Sequence, residues 1–120
     1  MNLQRVVRNV LHIPRNFRKL GNISVHTLLK EGGYFEVYSL VSVGDIRASL
    51  ISEPQCIEEW LLYSEDKRCS SGWYFMQTEK HSYIVGHYPS DNKLNVTYDD
   101  SLDACADFIK KEIEDIRQSG

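Results

Sequence analysis

Few residues in this chain are of the types that do chemistry, and their spacing keeps them apart. The four histidines and three cysteines form no C-x-x-C or H-E-x-x-H unit, the spacings that set thiolates or imidazoles around one metal ion. His81 and His87 fall on one face of a strand-like stretch. Six residues of extended chain separate them by roughly 20 Å, too far for one ion. No metal ligation is expected, and no cofactor. Cys105 lies in an apolar helical stripe, where a thiol behaves as a small hydrophobe. Cys69 lies beside Lys67 and Arg68, and neighbouring cations lower a thiol pKa, yet the sequence positions no base for it. Glycine-rich phosphate loops are absent as well. These residues predict a protein that is not an enzyme, with no catalytic residue to assign.

Charge says more than chemistry does. The formal net charge is −3, but the first twenty residues carry Arg5, Arg8, Arg15, Arg18 and Lys19 and no acid. A basic start of this kind could neutralise phosphates or lie on an anionic membrane. The acidic body would repel a polyanion, and the aromatic residues fall at core positions, so neither nucleic-acid nor membrane binding is expected. Arg8 interrupts any apolar leader, which argues against a secretory segment. The odd number of scattered cysteines predicts a reducing, cytoplasmic setting rather than a disulfide scaffold.

The most informative stretch is 54–66. At about 100° per residue, Cys56, Ile57, Trp60 and Leu61 fall on one side of a helix. Glu58, Glu59, Glu65 and Asp66 fall on the other, with Leu62 among them. A charged outer face is ordinary for a surface helix; what sets this one apart is that no Lys or Arg lies within the span. An exposed leucine ringed by uncompensated acids is a pattern for docking a basic partner, because charge steers the encounter and the apolar group anchors it. Glu58, Glu59, Leu62, Glu65 and Asp66 are therefore the candidate partner-binding residues.

The elements that must position them follow from periodicity and punctuation. Leu3, Val6, Val7, Val10 and Leu11 keep a helical spacing, Pro14 ends that helix, and a basic turn over 16–20 leads to Gly21 as a stop. Ser24 caps a helix that closes at Gly32 and Gly33. Residues 34–43, rich in aromatic and β-branched side chains, predict a strand. Ser42 with Asp45 forms a capping box for a helix carrying Ile46 and Leu50, and Pro54 opens the next. Three strands follow at 73–78, 82–88 and 93–98, joined by links of hairpin length. In the last, Leu94, Val96 and Tyr98 alternate with polar residues, predicting one buried face. The final helix starts near Asp99, Asp100 or Ser101 and carries the stripe Leu102, Cys105, Ala106, Ile109, Ile113 and Ile116. At 120 residues, 42% hydrophobic and 26% charged, the chain can bury one core. The expectation is an α+β fold: N-terminal helices, a three-stranded antiparallel meander, and a C-terminal helix packed on the sheet. A basic amphipathic segment, 1–22, precedes a single domain, 23–120.

The stretches LLKEGGYFEV (28–37), IEEWLLYSEDKRCSSGWYF (57–75), YIVGHY (83–88) and DDSLDACADFIKKEI (99–113) together resemble small bacterial immunity proteins of contact-dependent growth inhibition and related toxin systems. The likeness covers roughly residues 24–117 and leaves 1–22 outside it. It implies a non-enzymatic cytoplasmic inhibitor that binds the C-terminal domain of one cognate toxin, many of which are nucleases with basic clefts. The acidic surface would then occupy that cleft. Two alternatives are an adaptor or regulatory module using the same acidic face, and a nucleic-acid or membrane binder working through the basic segment.

Overall fold

The stripe of the last helix becomes the centre of the molecule. In the computed structural model, which describes residues 2–67, 72–88 and 95–119, the helix Ser101–Ser119 buries Ala104, Cys105, Ala106, Phe108, Ile109, Glu112 and Ile113. The buried arc is wider than the expected stripe because the helix is covered twice. A sheet packs on one side of it, and helices pack on the other.

Among the described residues the elements run α1 (Leu3–Leu11), α2 (Ile13–Leu20), α3 (Val25–Glu31), α4 (Tyr34–Val37), a 3₁₀ turn (Tyr38–Leu40), α5 (Val43–Ser52), α6 (Gln55–Lys67), β1 (Gly72–Gln77), β2 (Tyr83–Tyr88), β3 (Val96–Tyr98) and α7 (Ser101–Ser119). The three strands form one antiparallel sheet in the order β1-β2-β3, and α7 packs against all three. The fold is α+β with the architecture expected from the sequence. No helix among the described residues is long and apolar enough to cross a membrane.

Local signals place most helix ends. The Ser24 hydroxyl accepts from the Thr27 N–H at 3.1 Å, satisfying a donor that the first turn leaves unpaired. The Ser42–Asp45 box closes in both directions, with each bond at 3.0 Å. Gly21 ends α2 at φ 76°. In the sheet, Phe75 and Val85 are cross-strand partners, both buried. The Phe75 ring stacks on Phe108 of α7 with centroids 5.6 Å apart. The two-residue period of a strand turns Tyr74 and Met76 to the opposite face. There the side chains of Tyr74 and Asn95 lie over Gly86, in the space a Cβ would fill.

Three expectations need correction. Residues 34–43 form α4 and the 3₁₀ turn rather than a strand. Tyr34 is buried and Val37 half-buried on one face of this short helix, i and i+3, while Val41 is buried in extended backbone after the 3₁₀ turn. Among the described residues no strand lies beside the stretch, and Tyr34 is instead held from α7: its hydroxyl donates to Glu114 at 2.6 Å and accepts from Lys110 at 2.9 Å. Second, 16–20 is no mere turn. Pro14 ends one helix and sits in the first turn of the next, where its missing N–H leaves no intrahelical bond unmade. Third, Val96 of β3 is 40% exposed instead of buried; Leu94 lies outside the described residues.

The first two helices contribute to the core as well. Val6, Val7, Val10, Leu11 and Ile13 are at most 3% exposed and belong to the same core as Trp60 and Ile109. The first helix is an integral part of the fold, docked by its apolar stripe with Arg5 and Arg8 outward.

Candidate functional site

Trp60 sets the rotation of α6, and with it everything this helix presents. The indole is fully buried, and its Nε1–H donates to the Leu11 carbonyl at 3.1 Å. Tyr63 and Phe108 meet the ring edge-on with centroids 5.0 and 6.0 Å away. Two residues beyond Trp60, Leu62 is carried to the outside of the helix and is 42% exposed. On the flank towards the sheet, the Ser64 hydroxyl accepts from the Phe75 N–H at 2.8 Å. That bond ties α6 to the edge of β1 that β2 does not use.

Between α6 and β1 lies an open groove of about 470 Å³ whose lining includes Glu58, Leu61, Leu62, Glu65, Tyr74 and Met76. Met76 is 47% exposed. Glu58, Leu62 and Glu65 share one stripe of α6, spaced i, i+4, i+7. Among the described residues no cation lies within ion-pair distance of Glu58 or Glu65. The groove therefore combines an unneutralised negative rim with two exposed apolar side chains.

The other two acids do not belong to it. They face α2, which packs along the opposite flank of α6. Arg15 grips Glu59 in a two-point fork, Nε to Oε2 at 3.0 Å and Nη2 to Oε1 at 2.8 Å. The Arg15 hydrogen bond, aided by its charge, outweighs burial and holds the Glu59 carboxyl below the ordinary glutamate range. Arg18 approaches Asp66 at 3.8 Å, with both side chains largely in solvent. The expectation of four uncompensated acids is thus corrected to two, because α2 brings cations that lie far away in sequence. Phe17, 41% exposed, and Val25 line a second groove of about 430 Å³ together with Tyr63, Arg18 and Asp66. Its charges are paired, so it offers no net field to a partner.

The thiols and histidines divide differently from their sequence spacing. Cys105 is fully buried, and burial raises its pKa further from reactivity. Cys69 lies outside the described residues. His81 sits in the β1–β2 turn rather than on the strand, and His87 packs edge-on against Trp73 at 4.8 Å. The sequence reading missed a different trio. His12, Glu53 and Cys56 each offer one ligand atom, and these atoms lie within 4.8 Å of one another. His12 Nε2 is 2.8 Å from Glu53 Oε1. Burial, followed by the charges of Glu59 and Glu53, pushes the Cys56 thiol up to about 11. The one legible half of this trio was Glu53-x-x-Cys56, a single turn of spacing; His12 joins it only through the fold. No protein-family model, curated protein or solved structure matches the chain.

Proposed function

We propose that this protein is a non-enzymatic, cytoplasmic immunity protein that neutralises a cognate toxin domain, a nuclease with a basic cleft, by seating its acidic α6–β1 groove over that cleft. The observation that carries the reading is the pairing of exposed Leu62 and Met76 with Glu58 and Glu65, two acids that have no cation near them among the described residues. Exposed acids attract a basic surface from a distance, while the apolar pair holds it once water is expelled. Occlusion needs no nucleophile and no turnover.

The charge pattern favours this reading over a nucleic-acid or membrane binder. Arg15 and Arg18 are directed at Glu59 and Asp66, and Arg8 lies 3.9 Å from Glu53. Much of the basic N-terminal field is therefore met by the protein's own acids rather than offered to phosphates. The resemblance to immunity proteins names the class of partner, and the groove supplies a surface of the right sign.

The test is complex formation with the cognate toxin domain, followed by calorimetry. Leu62→Lys is expected to abolish binding. Leu40→Lys, at a 65% exposed position in the turn before α5, is expected to bind like the unmodified protein. Tight binding by a folded Leu62→Lys variant would remove the groove from the interface.

A further inference from the structure

Two helix corners face each other on the side of the core away from the sheet. One is His12, the single residue between α1 and α2; the other is Glu53, between α5 and α6, with Cys56 in the first turn of α6. Both corners are fixed. His12 N–H closes on the Arg8 carbonyl at 3.1 Å, Glu53 N–H on those of Ser49 and Leu50 at 3.2 Å, and the Trp60 indole bonds the Leu11 carbonyl. The three side chains thus converge from a rigid frame.

We infer that His12, Glu53 and Cys56 form a binding site for a zinc-class divalent transition metal. An imidazole, a carboxylate and a thiolate are the three donor types that Zn²⁺ accepts, and three protein ligands with one open position make a familiar coordination set. Bonds of the usual length around a tetrahedral ion place nitrogen and oxygen about 3.3 Å apart, and sulfur and nitrogen roughly 3.6 Å. The donor atoms lie within 4.8 Å of one another, and the His12–Glu53 pair stands at 2.8 Å. Small side-chain rotations, opening one edge and closing the others, therefore complete the geometry. Cys56 is fully buried, whereas the side chains of His12 and Glu53 are 22% and 23% exposed, which leaves a path for the ion and a fourth position facing water.

The surroundings suit the added charge. Glu59, held by Arg15, lies near Cys56 and adds negative charge that favours a bound cation, although it disfavours the free thiolate. Arg8, 70% exposed and 3.9 Å from Glu53 Oε2, is free to swing into solvent when the metal takes over that carboxylate. Binding forms three metal–ligand bonds. The Cys56 S–H bond breaks and its proton passes to solvent, while neutral His12 ligates through Nε2 with its ring proton on Nδ1.

The site is tested with the metal alone on the full, reduced, chelator-treated chain. Titration with Co²⁺ is expected to saturate at one equivalent with thiolate-to-cobalt charge-transfer absorption, which one equivalent of Zn²⁺ abolishes. The Cys69→Ser variant is expected to keep that absorption. A hydroxyl at buried Cys56 costs stability, so the decisive variants are His12→Gln and Glu53→Gln at the half-exposed positions. Each is expected to lower affinity by more than about 100-fold, exceeding the loss seen when only an outer partner of a ligand is removed. Absence of the thiolate absorption in the folded protein would overturn the site. So would its loss in Cys69→Ser, or undiminished affinity in folded His12→Gln.

Discussion

Reversing Glu58 and Glu65 to lysine separates the steering role of the groove from the stability of the fold. The double variant changes the local charge by four units. Against one partner cation at about 10 Å, each unit is worth about 0.4 kcal/mol in water before screening. At roughly 0.01 M salt the Debye length is about 30 Å and most of that survives, so the encounter loses about 1.2 kcal/mol and association slows roughly eightfold. At about 0.15 M salt the loss falls to about 0.5 kcal/mol and the slowing to about twofold. Folding stability should stay within about 0.5 kcal/mol, because neither acid has a cationic partner among the described residues to lose. Reversing Glu59 and Asp66 makes the comparison. There the new lysines face Arg15 and Arg18, so the melting temperature should fall. Stopped-flow association with the toxin domain across a salt series, beside thermal melts of both variants, reads all four quantities. Association of Glu58→Lys/Glu65→Lys that is unchanged at low salt, or an equal loss of stability in the two variants, would refute the division of α6 into a free and a paired acidic stripe.

Three further outcomes follow from the same geometry. Leu62→Ala should leave unfolding free energy within about 0.5 kcal/mol of the parent while weakening toxin binding by roughly 2 kcal/mol, about 30-fold, as expected for an anchor; denaturant titration and calorimetry check the two parts. Trp60→Phe leaves the Leu11 carbonyl without its indole donor and should cost about 1–3 kcal/mol in denaturant unfolding. Burial pushes the Glu114 carboxyl up, but the hydrogen bonds from Arg117 and Tyr34 outweigh it and hold the group below the ordinary glutamate range. Its contribution is therefore complete above the unfolded value near about pH 4.3 and disappears as pH falls through the depressed folded value. Melting curves of the parent and Glu114→Gln should converge in acid, whereas a constant gap down to the acid transition would contradict that assignment.

What the sequence made legible was local. Ser24, the Ser42–Asp45 box and Gly21 mark helix ends because caps and stops act within three residues. The paired strands at 72–77 and 83–88 announce themselves by composition and a short link. Residues 34–43 misled because β-branched and aromatic residues favour a half-buried pleated surface only where a neighbouring strand exists; here α7 offers Glu114 and Lys110 to Tyr34 instead. Leu62 could be placed on the outside of its helix by periodicity alone. The pairing of Glu59 with Arg15 could not, since the two are 44 residues apart in sequence. His12 and Glu53, 41 residues apart, were hidden for the same reason. Helical period assigns a face to each residue, but which helix packs against that face is a property of the whole core.

Neutralisation by occupancy consumes one inhibitor for every toxin molecule, and that stoichiometry is the most direct test of the function proposed here. A fixed amount of active toxin domain, titrated with this protein while its activity is followed, should lose activity linearly to a sharp equivalence point at one to one. Complete protection at strongly substoichiometric amounts would mean turnover and would contradict a binding protein that works by covering its target.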